Sequence, residues 1–327
     1  MENNAVSKNK TDLTDLEDVV CGVCGSSDRA HLFGNLDRLH GFPGEFQINS
    51  CQNCGLVFLS PRPKDINKFY AEEYAPYNID LKNFHQSLTS RLMEAYYSEK
   101  KDWPQRLRAG AYRLLYNPLP DKYRGAKILD VGCGNGVFLY NLKRFGGFDP
   151  YGVDSSQYAI SQAQTKLGLK NVQAGTLEEC FFPDNFFDII TLNHVVEHLT
   201  SPTDTIREVK RILKPGGSLM MTTPNASSLL FAIFRKFWFA LETPRHLQIF
   251  SEKTLSMMID SVGGLKIEKI DYNISNYVFA KSLIYRFHLG DSFMARFLMK
   301  IKFIFLPLFY LLPRKKRDFV TIYARKK

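Results

Sequence analysis

Two sets of residues in this chain have the types and the spacing for chemistry. In Lys127-Ile-Leu-Asp-Val-Gly-Cys-Gly-Asn-Gly136 an apolar run leads into a glycine turn, and eighteen residues later Asp154 closes Tyr151-Gly-Val-Asp. The glycines let the backbone turn tightly and approach a ligand, and an acid at the end of the next strand can accept both hydroxyls of a ribose. A dinucleotide fingerprint would need Gly or Ala at position 137; Val137 stands there, so the pattern is G-x-G-x-G. Upstream, Cys21-Gly-Val-Cys24 and Cys51-Gln-Asn-Cys54 form two C-x₂-C pairs with 26 residues between them, each followed by glycine, Gly25 and Gly55. Two tight turns that aim paired thiolates at one tetrahedral ion suit a structural Zn²⁺ held by Cys21, Cys24, Cys51 and Cys54, with no position left open for water. Buried free cysteines are the alternative. Cys133 and Cys180 are read as non-functional, the first filling the glycine turn and the second in an apolar approach to a strand.

With the segments that follow, the glycine turn and Asp154 resemble the class I S-adenosylmethionine-dependent methyltransferases, whose first motif reads (I/L)LD(V/I)GCGxG. Gly175-Thr-Leu-Glu178, Phe182-Pro-Asp-Asn-Phe-Phe-Asp-Ile-Ile190, Asn193-His-Val-Val-Glu-His-Leu199 and Leu213-Lys-Pro-Gly-Gly217 come in that family's order, and the likeness covers roughly residues 126–327. It implies an α/β fold, a doubly wound, Rossmann-like, seven-stranded methyltransferase sheet, with S-adenosylmethionine as cofactor. Cofactor contacts are then expected from Asp130, Gly132, Gly134, Gly136, Asp154, Ser155, Thr176, Leu177 and Asn193, Asp154 holding the ribose and Asp130 orienting the glycine turn. Residues 51–77 (CQNCGLVFLSPRPKDINKFYAEEYAPY) are similar to the zinc-binding module found ahead of methyltransferase domains in bacterial sugar, polysaccharide and secondary-metabolite pathways. Tyr70, Tyr74 and Tyr77 there either stack on a sugar or adenine or pack the module onto the catalytic domain.

The elements that must position these residues follow from periodicity. Strands are expected near 126–131, 149–154, 171–174, 187–192 and 217–223, with helices near 136–145, 155–167 and 202–213, an alternation that implies a parallel sheet with ligands at the strands' carboxyl ends. Residues 264–274 and 319–324 alternate as a final pair of strands, with about forty residues inserted between them. The expected division is a disordered tail over 1–15, a zinc-ribbon module over 16–78, a helical connector or lid over 79–122, and a methyltransferase domain over 123–327 carrying an amphipathic basic insertion at 276–317.

Composition agrees: 45% apolar residues is a globular content. The polar first fifteen residues lack the apolar core of an export signal, so the cysteines are expected in a reducing, cytoplasmic compartment. Residues 281–327 hold twelve Lys and Arg against Asp291 and Asp318, an excess equal to the whole chain's formal net charge of +10. Phe293, Phe297, Ile301, Ile304, Phe305 and Leu308 recur there at helical spacing, and Arg314-Lys-Lys-Arg317 closes the stretch. A span needs ~20 apolar residues; 303–312 offers ten and contains Pro307. Residues 292–317 therefore read as a peripheral contact on the cytoplasmic membrane face, or as a cap that buries its apolar side on the sheet. Residues 229–239 (LLFAIFRKFWF) have the same character.

A hydroxyl acceptor needs a base. His194, Glu197 and His198 resemble the acidic/His segment of the ubiquinone-pathway O-methyltransferases, with His194 where that family has an acid. Leu241-Glu-Thr-Pro-Arg-His-Leu247 is similar to the (L/W)ExPRHL segment of the zinc-module methyltransferases, which suggests His246 as base and Arg245 as an anion contact; a structural histidine is the alternative at each position. Three classes of function remain: O-methylation of a small-molecule sugar, glycan or lipid-linked acceptor; RNA methylation using the zinc ribbon and the basic tail; and a non-catalytic cofactor-binding scaffold. The continuous apolar face among the charges argues against a nucleic-acid partner. The oligomeric state is not legible.

Overall fold

The computed structural model describes residues 15–70, 88–98, 101–116, 119, 123–301 and 311–327. The expected tail, Tyr74 and Tyr77, and the apolar Ile304, Phe305 and Leu308 lie outside these. The strands run in chain order β1 (Leu16–Glu17), β2 (Arg29–Leu36), β3 (Glu45–Cys51), β4 (Val57–Leu59), β5 (Arg62–Pro63), β6 (Lys127–Val131), β7 (Asp149–Asp154), β8 (Val172–Ala174), β9 (Phe187–Asn193), β10 (Leu213–Pro224), β11 (Gln248–Ile249), β12 (Leu265–Asn273) and β13 (Phe319–Lys326). They divide between two compact units. One comprises residues 72–223, 255–273 and 319–327, the other residues 1–71, 224–254 and 274–318.

The first unit holds the seven-stranded sheet, in the order β12-β13-β10-β9-β6-β7-β8. β6, β7, β8, β9 and β10 are parallel, and β12 and β13 form an antiparallel edge. Ile128, Leu129, Ile189, Ile190 and Leu192 are fully buried, as strands covered on both faces must be. The helices Val137–Gly146, Gln157–Leu167 and Pro202–Ile212 fall within two residues of expectation. Pro202 opens the last of them, and its buried Ile206, Val209 and Ile212 line one face. β10 begins at Leu213, earlier than expected, because the Lys214-Pro-Gly-Gly217 turn is carried inside it: Leu213 pairs with Phe187 and Ser218 with Ile189. Five residues thus advance against two, which a bulge absorbs.

The expected lid over 79–122 takes a different form. The helices Leu88–Tyr97 and Trp103–Tyr116 place Leu92, Met93, Tyr97 and Tyr112 in one buried cluster with Ile128, Leu142 and Phe148. They are a covering layer of the sheet. Pro104 sits in the first turn of the second helix, where its missing N–H has no intrahelical partner to lose.

The second unit is a small antiparallel sheet in the order β11-β4-β3-β2. Its fourth strand comes from far along the chain, Gln248 pairing with Phe58 and Ile249 with Val57. Asn35 Nδ2 donates to Thr243 Oγ1 at 2.8 Å, and Asn225 Nδ2 donates to the carbonyls of Lys315 and Arg317 at 3.0 and 2.8 Å. The linear division into 16–78 and 123–327 is therefore corrected: residues 224–254 and 274–318, the expected basic insertion included, belong with the cysteine module.

Arg245 is the centre of this unit. Its side chain and that of Asp37 are fully buried; Nη1 and Nη2 donate to the two Asp37 oxygens at 3.0 and 2.8 Å, Nη1 also to Phe69 O at 3.0 Å, and Nε to Glu242 at 3.1 Å. A guanidinium so placed is not a substrate-anion contact, and the expectation for Arg245 is replaced by a structural one. Burial alone would raise the Asp37 pKa, but Arg245 outweighs it and the net direction is downward. Removing one partner leaves the other charged and buried, so Asp37→Ala should lose about 3–5 kcal/mol in urea unfolding, more than a paired replacement of both residues by Leu. Because the folded pKa lies below the unfolded ~3.9, the wild-type pair's contribution should be complete above that pH and vanish as pH falls through the folded value. A single-variant loss below about 1 kcal/mol, the size of an exposed pair, would contradict this.

Candidate functional site

β6, β7, β8 and β9 end side by side, where the strand order reverses about β6, and a ligand crevice belongs at that point in such a sheet. Gly132 has φ 70° and a Cβ there would fall 2.4 Å from Val195 Cγ2. Gly136, at φ 75°, caps the helix Val137–Gly146; a Cβ there would fall 2.6 Å from Leu169 Cδ1 and 2.9 Å from Ala163 Cβ. Only glycine fits both places.

Asp154 is 7% exposed and holds the turn: Oδ2 accepts Gly134 N–H at 2.8 Å and Oδ1 accepts Ser156 N–H at 2.9 Å. Burial pushes its pKa up, against those two amides. Each oxygen keeps a second lone pair, the acceptor pair that a ribose diol needs. Asp130 was expected to orient the glycine turn; it does not. Its Oδ1 accepts Thr191 Oγ1–H at 2.5 Å and it is hydrogen-bonded to Asn193. Burial, with a smaller push from the Asp154 charge, takes it up to about 7 against the pull of Thr191 and Asn193.

Ser155 is exposed beside Asp154, while Ser156, not anticipated, both fixes Asp154 and caps the helix Gln157–Leu167 through Ala159 N–H at 3.1 Å. Thr176 is exposed with its N–H on Glu179 Oε2 at 2.7 Å, and Leu177 is buried. Thr191 was also missed. The signal was there, one hydroxyl within the apolar stretch Ile189–Leu192 of the strand.

The candidate bases lie in different units. His194 follows Asn193 with φ 57°, its Nδ1 3.3 Å from the fully buried Glu197 Oε1 and its ring edge-on to Phe319 at 4.8 Å. His246 belongs to the unit of the cysteine module. Its Nδ1 is 2.8 Å from the Ala240 carbonyl, which can only accept, so Nδ1 carries a hydrogen and, in the neutral ring, Nε2 carries the lone pair. Glu242 Oε2 stands 3.8 Å from that nitrogen.

In that same unit the sulfurs of Cys21, Cys24, Cys51 and Cys54 lie within 4.8 Å of one another, with Cys21–Cys54 and Cys24–Cys51 each at 3.5 Å. Four thiolates ~2.3 Å from one zinc would have edges of about 3.8 Å, so the arrangement is compatible with the ion. Gly25 and Gly55 close the knuckles through N–H bonds to the Cys21 and Cys51 carbonyls, both 2.9 Å.

Residues 103–265 match the methyltransferase-domain family. The chain belongs to the methyltransferases. Among its curated relatives are ubiquinone biosynthesis O-methyltransferases: one from Xanthomonas oryzae, 32% identical over 46% of this chain and 66% of its own length, and one from Neisseria meningitidis, 28% identical over 36% and 56%. The chain thus spans well over half, but less than two thirds, of the length of these relatives. A solved SAM-dependent methyltransferase from Archaeoglobus fulgidus is 24% identical over 68% of this chain and 94% of its own, with a TM-score of 0.43. In this methyltransferase, Asp154→Ala should weaken S-adenosylmethionine binding by about 1–3 kcal/mol through loss of charge-assisted hydrogen bonds. Calorimetry that finds the affinity unchanged would remove Asp154 from the site.

Proposed function

We propose that this methyltransferase transfers a methyl group from S-adenosylmethionine to a hydroxyl of a sugar, glycan or lipid-linked acceptor, with His246 as base. What supports the reading is, in one unit, a cofactor-shaped glycine turn held by Asp154 and, in the other, a buried histidine whose Nδ1 is fixed by the Ala240 carbonyl. S-adenosylmethionine supplies the methyl on a sulfonium, a leaving group that needs no activation. The chain's part is then to align the acceptor oxygen and take its proton, and alignment alone is worth ~7–11 kcal/mol of barrier. As the hydroxyl proton moves to His246 Nε2, the imidazolium that forms faces the Glu242 carboxylate. The names of the O-methyltransferase relatives support oxygen as the acceptor atom.

The four cysteines in this proposal hold a structural zinc, and the second unit folds around it. The helix Phe293–Ile301 exposes Phe293, Met294 and Phe297. That apolar exposure and the basic run Arg314–Lys316 are what support a contact with an anionic membrane face and a lipid-linked acceptor. No helix among the described residues is long and apolar enough to cross a membrane.

Labelled methyl transfer into lipid, soluble glycan, sugar-nucleotide and RNA fractions tests the acceptor. Label should enter a lipid or sugar fraction, and His246→Gln should lower kcat by ~10²–10⁴ with S-adenosylmethionine affinity kept. Label in RNA alone, or full activity in His246→Gln with loss in His194→Gln, would refute the acceptor class or the base respectively. For the metal, elemental analysis of chain never exposed to chelator should find about one zinc per chain, lost in Cys51→Ser with unfolding of the second unit. Metal-free wild type under reducing conditions would rule the zinc out.

A further inference from the structure

Three cations drawn from three distant stretches converge on one aromatic ring in the cysteine-containing unit. Arg38 Cζ lies 4.8 Å, Arg286 Cζ 5.3 Å and Lys236 Nζ 5.6 Å from the centroid of Phe237. The imidazole of His288 meets the same ring edge-on at 5.9 Å. Among the described residues none of the three cations has an acidic partner. Like charges held this close repel one another, and cation–π attraction to the ring offsets that only in part.

Arg38 and Lys236 also line a cavity of about 250 Å³, its open mouth included, with Asn35, Trp238, Glu242 and Tyr285. It is an open depression and not an enclosed cavity, so it suits one group of a larger ligand and not a whole small molecule. Arg38 is half-buried and burial draws its pKa down, a cost that an anion would relieve. The Arg38 guanidinium is oriented by donating to Asn35 Oδ1. Trp238, 1% exposed, has an indole N–H with no acceptor among the described residues. The acid in the wall, Glu242, is engaged by Arg245 Nε at 3.1 Å and stands 3.8 Å from His246 Nε2.

We propose that this cavity is an anchor for a phosphate or diphosphate group of the methyl acceptor, with Arg38 and Lys236 gripping the oxygens. Arg286 adds charge at the same ring. Two cations on one mouth favour a diphosphate over a carboxylate, because a diphosphate presents several oxygens across a longer reach and guanidinium matches phosphate in a forked geometry. The Glu242 link places the anchor beside the histidine assigned as base within the same unit. The inference rests on the methyl-transfer reading only in naming the bound group as part of the acceptor.

The test is calorimetric titration of inorganic pyrophosphate into the full chain at low salt, with S-adenosylmethionine titrated separately. Pyrophosphate should bind, and Arg38→Gln and Lys236→Met should each weaken it at least tenfold while leaving S-adenosylmethionine affinity unchanged. Lys236 is exposed, so its replacement does not threaten folding, and Lys170→Met serves as the equal charge change in the other unit. Absence of pyrophosphate binding, or an equal loss in all three variants, overturns the anchor. Failure to bind S-adenosylmethionine would instead overturn the methyl-transfer reading. Competition then separates the sources: displacement by a soluble nucleoside-diphosphate sugar assigns a soluble acceptor, and displacement by phosphatidylcholine vesicles carrying a polyprenyl diphosphate assigns a lipid-linked one. Displacement by neither removes the acceptor from the assignment.

Discussion

A buried ion pair joins residues 208 positions apart, and the cysteine-containing unit depends on it. Arg245 and Asp37 are both excluded from water, and desolvation of two such charges is offset only when every donor finds a partner. Here the guanidinium satisfies the two Asp37 oxygens, the Phe69 carbonyl and Glu242 together. Through those bonds the loop after β2 is tied to the turn over residues 240–246. The same two segments supply Arg38 and Glu242 to the cavity and carry His246. The ion pair is thus what gives the neighbouring groups fixed positions.

A unit of this size also has a shortage of core. The amino-terminal sheet offers three short strands, too little to bury the surface that ordering the chain requires. Two additions answer that shortage. Residues 248–249 return as a fourth strand on β4, bringing the fully buried Phe250 and the nearly buried Trp238 region with them. The four sulfurs, within 4.8 Å of one another, are compatible with a metal cross-link where strands end. The returning chain acts by apolar burial, and an ion held by the four sulfurs would act by coordination.

What could be read from the sequence was local. The glycine turn, Asp154 and the cysteine pairs are legible because a positive φ or a knuckle is specified within a few residues. The five parallel strands and their helices are legible because period 2 and period 3.6 survive in short windows. Arg245 was misread because its partner is Asp37, and no spacing rule connects a loop to a turn so far downstream. Asp130 was misread for a related reason. Its hydroxyl partner, Thr191, sits on the adjacent strand β9, so the division of labour between the two acids appears only once β6 and β9 are paired. The helices over 88–116 show a third kind of limit: amphipathic periodicity says that a face is buried but not against what.

Charge shows why composition and position must be kept apart. The basic excess over residues 281–327 suggested a single polycationic surface, yet several of its cations are already used. Arg325 pairs with Glu268 at 2.7 Å, Lys315 with Glu252 at 3.0 Å, and Lys326 donates to Asn185 Oδ1 at 2.8 Å and to the Leu213 carbonyl at 2.7 Å. The surface left to track a nucleic-acid backbone is smaller than the count of Lys and Arg implies. Meanwhile Arg38 and Lys236, which lie outside the basic stretch, meet Arg286 from within it at Phe237. A concentrated cluster whose nearby acid, Glu242, is engaged by Arg245 selects for a compact, multiply charged group, whereas a dispersed and partly neutralised tail selects for nothing in particular. The chain's specificity for an anion therefore resides where three segments meet, and the net charge of the tail is a poor guide to it.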